Sequence, residues 1–151
     1  MRIATFNLRH GAPDGAGWRG QLTRTSAMIA AVAGLDADVV ALQEVDRRVL
    51  RSWGRDQAAL LARATGATAL FAPARRVLWT GTDGPALLVR GVVRRTRVLA
   101  LPGVGPPRRA LFATVEVDGA TPVTVVGAHL QNPRGGAPGE ALAQLDALLA
   151  E

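Results

Sequence analysis

Val39-Val40-Ala41-Leu42 is an apolar run with no polar alternation, the pattern of a strand buried on both faces of a sheet. It delivers Gln43 and Glu44 at its carboxyl end, where open α/β sheets place their ligands. A carboxylate leaving a buried strand needs a cation, hydrogen bonds or open water. Glu44 is therefore either one half of an ion pair with Arg47 or Arg48, or the ligand of a metal. Ile3 to Leu8 reads as an earlier strand, ending near Asn7 with Arg9 and His10 just beyond, and Gly11 to Gly17 as a loop. Leu22, Ile29, Val32 and Leu35 share a helical face, which predicts a helix from Arg19 to Gly34. Strand, helix and strand make a β-α-β unit with parallel strands, so Asn7 and Glu44 fall at the same edge of the sheet.

The pattern changes after Asp46 to Gly54, a basic loop containing Trp53. A second helix is predicted from Arg55 to Thr65, with Gly66 as its stop. Short strands follow at Ala69 to Phe71 and Val77 to Thr80, and Thr80 to Pro85 reads as a turn. Strands at Ala86 to Val89, Arg94 to Leu101, Ala110 to Val117 and Val123 to His129, separated by Pro/Gly turns, predict an antiparallel meander. Glu140 to Glu151 predicts a closing helix with Leu142, Leu145, Leu148 and Leu149 on its apolar stripe. No repeat or linker interrupts the chain, so residues 1–151 read as a single domain of mixed α/β class.

Composition narrows the chemistry. The absence of cysteine excludes disulfides, thiolate metal sites and a cysteine nucleophile. No apolar run approaches a membrane span, and the strand pattern beginning at the first residues leaves no room for a signal peptide, so a cytoplasmic location is expected. The formal net charge is +6 and all 18 basic residues are arginine, scattered along the chain. That weakly favours an anionic substrate, and the Ala, Gly, Pro and Arg content also fits a G+C-rich coding bias.

Pro122 to Leu130 repeats the earlier pattern, an apolar strand with His129 at its end. A lone histidine there is ordinarily a hydrogen-bonded core residue, and a lone asparagine at a strand exit a turn residue. Asn7, Glu44 and His129 at three strand ends together point to a site.

Ala4-Thr5-Phe6-Asn7, Asp38 to Asp46, Arg109 to Ala113 and Gly127-Ala128-His129-Leu130 resemble, in order and spacing, the endonuclease/exonuclease/phosphatase superfamily, the deoxyribonuclease I-like fold. The resemblance covers nearly the whole chain, and Leu42-Gln43-Glu44-Val45 is its most specific part. It implies a four-layer α/β/β/α sandwich, present here in part, with catalytic groups at the rims of two facing sheets. Glu44 would be the carboxylate ligand of a weakly bound Mg or Mn ion. Asn7 would orient that metal's shell or a phosphate oxygen. His129 would contact the scissile phosphate or assist the leaving oxygen, and Arg109 would stand on the phosphate side. The substrate would be a phosphoester, either nucleic acid or a small molecule. Magnesium suits such a set, because it takes one or two carboxylates and fills its shell with water and substrate phosphate.

The sequence departs from the family pattern in two places. The Gly-Asp-x-Asn and Asp-His motifs that follow in the family are not present, and Gly84-Pro85-Ala86-Leu87-Leu88-Val89-Arg90 carries Pro85 and Val89 where asparagine and serine are usual. This implies either a hydrolase lacking its C-terminal part or a non-catalytic module that binds a partner or nucleic acid through its arginines. It also implies that Val39–Leu42 and Val123–Ala128 lose apolar cover on one face, at on the order of 12 kcal/mol for ~500 Å² left wet. The expected consequence is that the chain self-associates through the uncovered sheet face, binds a partner there, or is poorly folded.

Overall fold

The computed structural model of the chain describes residues 1–13, 24–77, 79–132 and 136–151. Its first sheet has the order β1-β2-β5-β3, built from β1 (Ile3–Asn7), β2 (Val39–Arg47), β3 (Thr68–Phe71) and β5 (Gly81–Val89), while β4 (Arg75–Val77) pairs with the first part of β5. β1 and β2 are parallel, in the register Ile3↔Val39 to Asn7↔Gln43, as the β-α-β reading requires. The connecting helix α1 is Thr25–Ala33; the predicted start at Arg19 lies outside the described residues. Helix α2 is Gln57–Thr65, with the Asp56 side chain accepting from the Ala59 amide at 3.0 Å and Gly66 in a left-handed conformation as its stop.

The second sheet is the meander β6 (Val92–Leu101), β7 (Arg108–Glu116) and β8 (Val123–Ala128). The expected four-strand meander is corrected here, because β5 pairs with β2 and β3 instead of β6. Its residues Asp83 to Val89 are all buried, as befits a central strand, whereas β6 is mostly exposed. The expected turn at Thr80–Pro85 is also corrected, since Gly81 and Gly84 are strand residues. A Cβ on Gly84 would come within 2.0 Å of the Ala72 carbonyl oxygen, and one on Gly81 within 2.3 Å of that of Arg47. Both glycines permit close backbone approach, the other reason for glycine in a strand.

β2 uses both faces. Val40 and Leu42 pack with Met28, Val32, Leu61 and Leu88 beneath the helices, while Val39 and Ala41, with Leu87 and Val89 of neighbouring β5, pack against Leu111, Ala113 and Val125 of the facing sheet. The expectation that Val39–Leu42 loses cover is overturned, because the second sheet supplies it. Val123–Ala128 keeps the expected exposure on its outer side, where Thr124 and Val126 are exposed while Val125 and Gly127 on the other face are buried. Helix α3 (Glu140–Leu149) packs against β6 and contributes a partial outer layer. Its orientation is opposite to the expected one. Leu142 and Leu149 are 67% and 77% exposed, whereas Glu140 and Gln144 are buried.

Candidate functional site

The site begins with a break in regular pairing. β2 follows β5 from Val39 to Leu42, slips at a bulge, and resumes at Val45↔Gly84. Glu44 sits in that bulge in a left-handed conformation (φ 54°), a costly backbone state for a non-glycine residue. Just beyond β1, Arg9 and His10 are left-handed too, and they fold the chain back over the same rim. Gln57, buried at the start of α2, braces both pieces: its Nε2 donates to the His10 carbonyl at 2.7 Å and its Oε1 accepts from the Asp46 amide at 2.8 Å.

These turns give Glu44 two neighbours. Asn7 Nδ2 donates to Glu44 Oε1 at 2.9 Å, and Asn7 Oδ1 accepts from the Arg9 amide at 2.9 Å. His10 Nε2 lies 3.3 Å from Glu44 Oε2. The ion pair with Arg47 or Arg48 is not among Glu44's contacts in the described residues, and Arg47 pairs with Asp56 at 3.0 Å. Glu44 therefore keeps a half-exposed carboxylate at the rim.

Glu44 and His10 line a cleft of about 250 Å³ with Arg75, Asp83, Arg108, Arg109 and His129, walled by Pro85, Pro106 and Pro107. The cleft lies between the two sheets, where the bulge of β2, the early part of β5, the start of β7 and the residue after β8 converge. Glu44, His129 and Arg109 thus line one cleft, and Asn7 joins them through Glu44. Sequence reasoning missed His10, Arg75, Arg108 and Asp83. His10 stands three positions past Asn7 and gave a signal that could have been used. The others come together only across the fold.

Two histidine–arginine pairs flank the cleft. In the first, Arg51 Nη2 lies 2.9 Å from His10 Nδ1, 2.8 Å from Asp46 Oδ1 and 3.4 Å from Asp83 Oδ2. Its Nε donates to Asp46 Oδ2 at 2.9 Å. His10, Asp46 and Asp83 each offer a ligand atom within 4.8 Å of the others, a spacing suited to a metal. The Arg51 guanidinium already sits among them, so the cation of this cluster is an arginine. Burial alone would raise the Asp46 carboxyl, but hydrogen bonds and charge from His10 and Arg51 outweigh it and hold it below the usual carboxylate range.

In the second pair, Arg108 Nη1 faces His129 Nδ1 at 3.1 Å, and Arg108 Nε donates to Gln131 Oε1 at 2.9 Å. Both partners lack negative charge. Arg75, which pairs with Asp83 at one side of the cleft, adds a like charge. Burial and then Arg75 lower the Arg108 pKa, and burial followed by Arg108 lowers that of His129 below the usual histidine value. Arg109 lines the same cleft, and its side chain makes no hydrogen bond among the described residues.

A hard divalent cation fits at Glu44, whose carboxylate is oriented by Asn7 and open to the cleft, with the remaining positions left to water and a phosphate. It does not fit at the His10–Asp46–Asp83 cluster while Arg51 remains there.

Solved structures share this architecture. An endonuclease/exonuclease/phosphatase from Beutenbergia cavernae is 25% identical, with a TM-score of 0.79 over 99% of this chain and 43% of its own. A family protein from Leptotrichia buccalis is 14% identical, with a TM-score of 0.67 over 100% of this chain and 61% of its own. Sphingomyelinase C from Streptomyces griseocarneus is 22% identical, with a TM-score of 0.64 over 99% of this chain and 58% of its own. The chain thus spans less than two thirds of each. No curated protein matches it in sequence. The endonuclease/exonuclease/phosphatase family model, however, matches residues 4–151, so the chain belongs to the endonuclease/exonuclease/phosphatase family.

Proposed function

We propose that the cleft binds a phosphoester together with a divalent metal, Mg or Mn, and belongs to a metal-dependent phosphodiesterase or phosphatase. The observation that carries this reading is the meeting of a partly exposed carboxylate, Glu44, held by Asn7 and His10, with the Arg75, Arg108 and Arg109 guanidiniums and His129 in one cleft. Carboxylate for metal and guanidinium for phosphate are the two halves of phosphoester recognition. A metal held by Glu44, with Asn7 orienting the carboxylate, supplies Lewis-acid polarisation of a phosphoryl oxygen. Arg108 and Arg109 bind the phosphate oxygens, and His129 hydrogen-bonds an equatorial or leaving oxygen. His10, pinned by Arg51 and Asp46, keeps Glu44 turned to the rim.

The test is hydrolysis of bis(p-nitrophenyl) phosphate with Mn or Mg, comparing wild type with Glu44→Gln and His129→Gln. Metal-dependent turnover lost in both variants supports the reading; turnover indifferent to metal and to Glu44 contradicts it. A second reading is favoured by the exposed leucines of α3 and the exposed outer side of β8. On that reading the chain is a binding module that needs further polypeptide, its own copy or another, before it turns over substrate. Metal and phosphate binding without hydrolysis is its signature.

A further inference from the structure

α3 buries the wrong residues for an ordinary surface helix, and the reason lies in the cleft. Gln144, 1% exposed, accepts at Oε1 from the Gln131 amide at 2.7 Å and donates from Nε2 to the Pro102 carbonyl at 2.9 Å. Glu140 accepts from the Ala137 amide at 2.9 Å and the Gly105 amide at 3.3 Å. The polar face of α3 therefore ties down the two loops that deliver Arg108 and His129. From Gln131 the connection continues to Arg108 Nε, and from Arg108 Nη1 to His129 Nδ1.

A guanidinium only donates hydrogen bonds. With Arg108 donating to Nδ1, that nitrogen must accept, so the ring proton sits on Nε2. His129 lines the cleft, Nε2 makes no hydrogen bond among the described residues, and no buried side-chain nitrogen or oxygen there lacks a partner. Nε2–H accordingly opens into the cleft. The same reasoning applies to Arg108 Nη2, the guanidinium nitrogen without an acceptor among the described residues.

We propose that Arg108 is the positioning residue of this cleft: braced by Gln131 and α3, it fixes His129 as the Nε2–H tautomer, so that Arg108 Nη2 and His129 Nε2–H form a two-donor clamp for an oxyanion. His129 then acts as a neutral hydrogen-bond donor with its proton on a defined atom. Burial and Arg108 disfavour the imidazolium, while Glu44 and Asp83 favour it and His10 opposes it. The assignment of the oxyanion to a phosphoester rests on the function proposed above; the tautomer does not.

The chain has two histidines, so nitrogen-15 NMR of labelled protein resolves both rings, with His10→Asn assigning the signals. The expected wild-type result is His129 almost wholly in the Nε2–H form, titrating below an ordinary histidine. In Arg108→Leu the tautomers mix and the titration moves up toward the ordinary value. Arg108→Lys, which keeps a charged donor, retains more of the Nε2–H form. A wild-type Nδ1–H tautomer, or a folded Arg108→Leu protein with unchanged tautomer and titration, overturns the proposal. Titration with inorganic phosphate is the second arm. Arg108→Leu should weaken binding at least tenfold, and Gln144→Leu by a smaller factor with a partly mixed His129 tautomer. If the wild-type tautomer is as described but phosphate does not bind, the Arg108–His129 pair stands and the phosphoester reading falls.

Discussion

Arg51 and Arg108 occupy similar places, each with its guanidinium against a histidine Nδ1 at the edge of one cleft, yet they are set for opposite tasks. Arg51 is enclosed by the buried Asp46 and Asp83 carboxylates, so its charge is answered within the fold. Among the described residues, the Arg108 side chain hydrogen-bonds only Gln131 and a neutral His129, with Arg75 nearby to raise its electrostatic cost. A half-buried cation left without an anion is an unfavourable arrangement that a bound anion relieves. The difference separates an arginine that maintains structure from one available to substrate, although both are the same residue in the same setting to the eye.

The largest effect that would break this contrast is on stability. Arg51→Leu leaves the fully buried Asp46 without its principal cation and should cost about 3 kcal/mol or more, read as a lower denaturant midpoint. Arg108→Leu removes no charge pair and should stay within about 1 kcal/mol of wild type. Equal losses from the two would show that the pairs are not different in kind. Arg51→Ala adds a sharper form: with the guanidinium gone, His10, Asp46 and Asp83 become available to Zn or Mn, and added metal should recover part of the lost melting temperature. No metal-dependent recovery would contradict the view that Arg51 occupies a cation position.

Acid should follow. Asp46 has a depressed folded-state pKa, so its stabilising contribution is present above the unfolded value near 3.8 and is lost as pH falls through the lower folded value. Wild-type stability should therefore drop below about pH 4 by an amount that Asp46→Asn removes. The smallest effect concerns α3. Leu145→Glu with Leu149→Glu should leave the melting temperature within a few degrees of wild type while reducing self-association seen by light scattering. A wild-type protein monodisperse as a monomer would remove the association reading.

Much of the frame was legible in the sequence because it follows from burial. The apolar run Val39–Leu42 and the crossover helix dictate β1 parallel to β2, and that pairing sets Asn7 beside Glu44. The second sheet's meander was legible from its Pro/Gly spacing. The start of β5 was not, because Gly81 and Gly84 serve close backbone approach while carrying the same letters as a turn. Nor was the face of α3, where leucine periodicity pointed the apolar stripe inward and the hydrogen-bonding needs of two loops turned Gln144 inward instead. Arg51, Arg75 and Arg108 have no linear signature, since their roles depend on which carboxylates the fold places beside them.

The central claim is that metal at Glu44 and phosphate at Arg108 share one cleft. Calorimetric titration of inorganic phosphate into the protein, with and without Mg, tests it most directly. The account predicts that Mg strengthens phosphate binding in the wild type, that Glu44→Gln abolishes the enhancement while leaving metal-free phosphate binding in place, and that Arg108→Leu weakens binding under both conditions. Phosphate affinity that is unchanged by Mg in the wild type, or an enhancement that survives Glu44→Gln, would contradict it.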